Sequence, residues 1–266
     1  MARSIYRGEN YDFVYSLDNY IIDKKRDSGI CVIYCSSSGL YYPNTEEEFV
    51  NAFIKRADKF EWRNNRIRKA DKSIWIRDIT KEFYVRGINK RISSIEQLLV
   101  FLGEETKGYE VITVGSSGGG YIATLIGCVL HAKRVYCFSG FFDLNMIDKE
   151  TWPLVYEYGS RPEYQKWYCL RNIMEKGKTK VFYFYPGNLE GDIKQAEVIE
   201  ELPEVYPFKF DSDIHGIPFR DRFHIPILNK VLNLSEDKLY MLYSCFRGKT
   251  IANFDWFFKV LFYTLQ

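Results

Sequence analysis

The stretch 111–127 constrains this chain more than any other. Val111-Ile112-Thr113-Val114 reads as a buried strand, Gly115-Ser116-Ser117-Gly118-Gly119 as a turn, and the run from Gly120 through Tyr121, Ile122, Ala123, Thr124, Leu125 and Ile126 to Gly127 as a helix. A strand joined to a helix through Gly-x-Ser-x-Gly holds its serine at the tip of a sharp turn with the hydroxyl exposed. Glycines on both sides let the backbone bend and the helix pack close. The helix N-terminus behind the serine offers unpaired N–H groups and a positive dipole end, which suit a developing oxyanion. A phosphate-binding loop would need Lys followed by Ser or Thr after the glycines, and Tyr121-Ile122 stands there instead. A plain Gly-rich loop is the simpler alternative, and only the rest of the chain separates the two.

Apolar runs alternate with helical patterns along the chain, which predicts βαβ units and an α/β fold: a mostly parallel sheet with helices on both faces. Strands are expected at 30–34, 73–76, 111–114, 134–138, 180–185 and, last, 205–210. Segments 13–15 and 20–22 read as a hairpin at one sheet edge. Helices are expected at 45–56, with Thr45 and Glu48 as a capping box, and at 92–102, 121–130 and 192–201. The segment 144–178 breaks the rhythm with Trp152, Pro153, Pro162 and Trp167, and reads as an inserted helical lid, ordinary peripheral helices being the alternative. No internal repeat or low-complexity linker occurs, so one domain over 1–266 is expected.

Composition excludes more than it selects. With 46% hydrophobic residues the chain is globular, and a net charge of +2 gives no argument for nucleic acid. Basic residues cluster at Arg63, Arg66, Arg68, Lys69 and Lys72, as a solvated face or as a contact surface for an anionic substrate or a membrane. An aromatic share of 17% leans toward a site that stacks on sugar rings, although many of these residues belong in a core. The six cysteines include no C-x-x-C pair, so zinc and thioredoxin-like readings fail and free buried thiols are expected. No stretch approaches the roughly 18 apolar residues of a membrane span. Residues 1–10 are polar and lack the apolar segment of a secretory signal, so a cytoplasmic protein is expected.

A serine hydroxyl becomes a nucleophile only when a base takes its proton, and the base needs an orienting acid. The order Ser, acid, His suits this kind of sheet, and the chain supplies it. Of the three histidines, His131 ends the helix after the elbow and complements its dipole. His215, in the turn after the 205–210 strand, is the expected base, with His224 second. Asp192, in the loop after the 180–185 strand, is the expected acid, although it also reads as a helix N-cap. Glu190 and then Asp143 are the alternatives, while Asp211 and Asp213 lie too close to His215 in sequence. The oxyanion donors are expected from the N–H of Gly118 and from Ser37 or Ser38 in the loop after the 30–34 strand. Tyr41 and Tyr42 follow as candidates to line the pocket.

At these residues the chain resembles the α/β-hydrolase superfamily over roughly 28–235, through its strand order and the Ser117, Asp192 and His215 landmarks. More loosely it looks like α/β-hydrolase-fold bacterial capsular-polysaccharide O-acetyltransferases. It shares their Gly-Ser-Ser-x-Gly-Gly elbow and a late His in a small-residue turn, Asp213-Ile214-His215-Gly216. It departs from them in the long acid loop Asn188-Leu189-Glu190-Gly191. The resemblance implies a serine esterase, or an O-acetyltransferase of surface-glycan biosynthesis with acetyl-CoA as donor and a glycan as acceptor. It also implies no bound cofactor or metal, and peripheral association with a polysaccharide-assembly machinery. The contrasting reading is an accessory or binding protein that keeps the fold without the chemistry.

Overall fold

The computed structural model describes residues 7–55, 59–216, 225–252 and 254–264. The chain opens with α1 (Glu9–Ser16), β1 (Tyr20–Lys24), β2 (Gly29–Cys35), α2 (Glu46–Val50), β3 (Lys72–Ile76) and α3 (Ile95–Glu105). The central part comprises β4 (Tyr109–Ser116), α4 (Gly118–Val129), β5 (Arg134–Phe138), α5 (Pro153–Tyr158), α6 (Pro162–Tyr168), α7 (Arg171–Lys176), β6 (Lys180–Pro186) and α8 (Glu190–Glu197). It ends with β7 (Val205–Phe210), α9 (Ile225–Leu232), α10 (Glu236–Phe246), β8 (Thr250–Ile251) and α11 (Phe254–Lys259).

Among the described residues eight strands form one sheet in the order β1-β3-β2-β4-β5-β6-β7-β8. Only β1 runs antiparallel, paired with β3 at the edge. The central strands read as unbroken apolar runs because both faces are covered. Alternate residues go to opposite cores: Val135, Cys137, Val181, Tyr183 and Tyr185 to one, Tyr136, Phe138, Phe182 and Phe184 to the other. Registry turns the second set into a ring ladder. Phe138, Phe184 and Phe208 face one another across β5, β6 and β7 with centroids 4.9 and 4.6 Å apart. Much of the aromatic excess is therefore core rather than a sugar-stacking surface.

Three expectations need correction. Residues 13–15 belong to α1 and not to a hairpin strand. Tyr11, Val14 and Tyr15 share one buried helical face, and Glu9 and Asp12 sit in the first turn where the dipole favours them. The helix expected from 92 begins at Ile95, because Ser94 Oγ accepts the Gln97 N–H and sets the start. Finally, β7 is not the last strand, since two residues of β8 pair parallel to it. The Thr45 cap is present, its Oγ1 accepting the Glu48 N–H at 3.3 Å. All six cysteines are free thiols, four of them buried.

Candidate active site

The elbow sits where β4 meets α4. Ser117 has φ 54° and ψ −125°, a left-handed conformation that a side chain adopts only under constraint. Its N–H donates to Phe138 O at 2.8 Å, which ties the turn to β5. The flanking glycines are needed for close approach. A Cβ on Gly115 would stand 2.0 Å from Gly119 O, and one on Gly119 would stand 2.4 Å from Cys35 O. Neither gap admits a methyl group, so α4 lies against the ends of β4 and β2 only with glycine at both places.

The side chains expected to act together converge here from three loops. Ser117 Oγ is 2.9 Å from His215 Nε2, and His215 Nδ1 is 2.8 Å from Asp192 Oδ2. His215 leaves the end of β7, and Asp192 lies in the first turn of α8. The helix begins two residues earlier than expected, with Leu189 at its cap position, so Asp192 makes no cap bond and its carboxylate faces the imidazole. Asp192 is buried and His215 is about a third exposed.

The rival acids are occupied elsewhere. Glu190 pairs with Lys194 at 2.6 Å on the outer face of α8. Asp143 caps a short turn through Asn145, and Asp211 accepts from Asn188 Nδ2. Asp213 and His131 are exposed. His224 lies outside the described residues.

The candidate oxyanion residues divide. Ser38 lies beside Gly118: a Cβ on that glycine would stand 2.7 Å from Ser38 Oγ. Among the described residues the N–H groups of Ser38 and Gly118 meet no acceptor. Ser37 differs, its N–H and Oγ both donating to the Glu61 carboxylate at 2.6 and 2.8 Å.

Tyr41 does not line the cavity over Ser117. It is buried against Phe49 and Phe53, with its hydroxyl donating to Ile79 O. Tyr42 is exposed and also stands outside that cavity. The cavity, about 550 Å³, is walled by 37–39, 60–65, 116–117 and 215–216. Its polar lining includes Glu61, Arg63, Asn64 and Asn65 besides the serines. No residue of 144–178 lines it. That segment forms α5, α6 and α7, which pack on the other side of the elbow, where the Tyr121 hydroxyl donates to Trp167 O.

The basic cluster is likewise divided. Lys72 pairs with Glu105 at 2.6 Å, and Arg66 pairs with Asp23 and covers Trp75. Of the cluster only Arg63 reaches the cavity.

Sequence reasoning missed three supports. Ser139, with φ 44°, repeats the Ser117 bend at the end of β5, and its hydroxyl donates to Gly216 O at 2.9 Å, anchoring the His215 turn. Gln195, one turn after Asp192, accepts the Phe142 and Asp143 N–H groups and donates to Asp143 O. This steadies the loop whose Phe141 ring lies 5.7 Å from His215. Glu61 is the third. The Ser-Gly pair after β5 was a legible signal for Ser139; Gln195 and Glu61 carry none at the level of pattern. Among the described residues no helix is long and apolar enough to cross a membrane, and no group of three His, Cys, Asp or Glu is placed to hold a metal ion.

No family model matches the sequence, and no curated protein does. Solved structures do match it. The capsule O-acetyltransferase of Neisseria meningitidis serogroup A is 11% identical, with 86% of this chain and 93% of that one covered at a TM-score of 0.54. A mutant of it in complex with CoA is 11% identical, with 81% and 90% covered at 0.51. A Staphylococcus aureus protein of unknown function is 14% identical, with 84% and 94% covered at 0.51. At such identities the likeness is one of fold, and the fold is that of the α/β-hydrolases.

Proposed function

We propose that this protein is a serine-dependent acyl-transfer enzyme. Ser117 attacks the carbonyl of an ester or thioester while His215 takes its proton and Asp192 holds the imidazole. His215 returns that proton to the departing alcohol or thiol, leaving an acyl group on Ser117. A second hydroxyl, deprotonated by His215, then takes the acyl group and frees the serine. Water as acceptor makes the protein an esterase, and a sugar hydroxyl makes it an O-acyltransferase with acetyl-CoA as donor.

The observation that carries this reading is the unbroken pair of contacts from Ser117 Oγ to Asp192 Oδ2 through one imidazole, 2.9 and 2.8 Å long. A serine kept at φ 54° supports it, because strain of this kind persists only where the surroundings enforce it. The positive φ alone does not mark chemistry, since Lys81, Phe83, Tyr84 and Ser139 share it; its coincidence with the two contacts does.

The cavity favours a polar acceptor. Its two aromatic members, Phe60 and Trp62, are buried in the body of the protein, and the exposed Arg63 and Asn64 line it with hydrogen-bonding groups. A hydroxylated glycan fits such a wall better than an acyl chain does. The capsule O-acetyltransferase that shares the fold is the precedent for a surface-glycan role, and we propose that this chain acts in the cytoplasm at the margin of an assembly machinery. We place residues 144–178 as a cap on the elbow side rather than over the cavity mouth.

The test is turnover of p-nitrophenyl acetate, and of acetyl-CoA with candidate polysaccharides, by wild type beside Ser117→Ala. We expect Ser117→Ala to lower kcat by about 10⁴-fold or more. Acetyl transfer to a glycan that needs Ser117 selects the transferase. Equal rates for wild type and variant with every donor discard the enzyme reading in favour of a binding protein.

A further inference from the structure

The loop after β2 lies beside the elbow because Cys35 pairs in register with Gly115 of β4. Two of its residues, Ser37 and Ser38, compete for one role: to offer the second N–H, beside that of Gly118, to an oxygen developing negative charge above Ser117. Glu61 reaches this loop from the segment before β3. Its Oε2 accepts the Ser37 N–H at 2.6 Å, and its Oε1 accepts the Ser37 hydroxyl at 2.8 Å. Ser37 Oγ in turn accepts the Gly39 N–H at 3.0 Å, and Ser36 Oγ accepts the N–H of Glu61 itself at 3.2 Å. Ser36, Ser37 and Gly39 are thus all tied, directly or through Ser37, to one carboxylate-bearing residue, and Ser38 stands in their midst. Desolvation pushes the Glu61 carboxyl above its ordinary value, while the two Ser37 bonds favour its charged form.

An N–H already given to a carboxylate is not available to an oxyanion. We infer that Glu61 is a positioning residue for oxyanion binding: by engaging Ser37 it fixes the loop so that Ser38 and Gly118 supply the two N–H donors. This inference rests on the acyl-transfer reading and deepens it. It resolves the choice between Ser37 and Ser38 that the sequence left open, and it assigns a role to a carboxylate outside the proton relay. Glu61 touches no reacting atom and acts only through the loop.

The full-length protein provides the test, with p-nitrophenyl acetate and its thionoester, whose sulfur accepts hydrogen bonds poorly. We expect Glu61→Ala to lower kcat for the oxoester about 10²-fold, the loss associated with misplacing one oxyanion donor, with KM changed by less than about threefold. The preference for oxoester over thionoester should shrink in parallel, which a loss of folded protein alone would not cause. Glu61→Gln keeps an acceptor for the Ser37 N–H and a donor for its hydroxyl, so it should stay within about tenfold of wild type. Glu61→Asp withdraws the carboxylate by one methylene. It should lose about tenfold in kcat along with part of the oxoester preference, and it carries the test should the alanine variant not fold.

Ser117-dependent activity with wild-type kcat and oxoester preference in the alanine variant, or in the aspartate variant should the alanine variant not fold, would overturn the role of Glu61 while leaving the enzyme reading intact. Turnover indifferent to Ser117→Ala overturns both.

Discussion

Asp192 and Asp78 are both buried carboxylates, 4% and 3% exposed, at the C-terminal edge of the same sheet, and their surroundings differ in kind. Asp78 is saturated by its own loop. Its Oδ1 accepts from the Thr80 N–H and hydroxyl, and its Oδ2 accepts from the N–H groups of Glu82 and Tyr84. The donors lie within six residues and coil the backbone around the carboxylate, with positive φ at Lys81, Phe83 and Tyr84. That coil sets the Phe83 ring beside Gly118 and brings the Tyr84 hydroxyl to Ser36 O at 2.8 Å. Asp192 receives a single bond, from a residue 23 positions away, and its Oδ1 has no partner among the described residues. A carboxylate satisfied by local N–H groups builds backbone. One left half-satisfied against an imidazole costs stability, and its retention calls for a chemical reason.

Two substitutions of equal size should separate these carboxylates. Asp192→Asn should give the largest effect, a fall of about 10⁴-fold in kcat for a short ester, because the amide no longer fixes the imidazole in the tautomer that takes the serine proton. Its melting temperature should stay level or rise, since a half-paired buried charge is removed. Near-normal kcat would class Asp192 with the structural carboxylates. Asp78→Asn should invert the pattern. One acceptor oxygen becomes a donor that faces other donors, and unfolding in denaturant should reveal a loss of about 3 kcal/mol. The kcat of the folded fraction should remain within about tenfold, since Asp78 reaches the elbow only through Phe83 and Tyr84. Unaltered stability would mean that the coil does not depend on its carboxylate.

The same contrast explains what could be read before the structure. The elbow, the meeting of Ser117, Asp192 and His215, and the parallel sheet were legible because each rests on short-range grammar: glycines where backbones touch, apolar runs where both sheet faces are covered, a histidine just past a strand. Asp192 was legible by its loop, though not its place within the helix turn. Leu189 takes the cap position with no side-chain bond, so nothing polar marks where α8 begins. Tyr41 misled because position in the chain says nothing of direction, and the ring turned into the pocket of Phe49 and Phe53. Glu61 and Gln195 were invisible for a different reason. Each holds a loop 24 or about 50 residues away by bonds to backbone groups, and such contacts leave no trace in spacing. Residues 13–15 were read as strand because three apolar residues carry no period; the buried triplet Tyr11, Val14 and Tyr15 does.

The smallest effect concerns a neighbour of Asp78. Glu82 is fully buried, pairs with Arg7 at 2.5 Å through Oε1, and leaves Oε2 without a partner among the described residues. Burial raises its carboxyl from 4.5 to about 7, and the charge of Asp78 adds to the rise, against the opposing pull of Arg7 and Arg86. Because the folded state holds this proton more tightly than the unfolded chain, the contribution to stability is fully present below about pH 4.5. It is lost as pH climbs to 7 and is level above that. Asp78 shifts in the same direction through burial, so both groups slope the curve alike, and Glu82→Gln removes one share of the slope. Denaturant unfolding at pH 5, 6, 7 and 8 should find wild type and variant close at pH 5. Wild type should then fall behind by about 2 kcal/mol by pH 7, with the gap constant from there. A gap that does not change with pH would mean that Arg7 keeps the carboxyl ionised throughout. Glu82 would then stand with Asp78 as a satisfied structural charge instead of with Asp192 as a half-satisfied one.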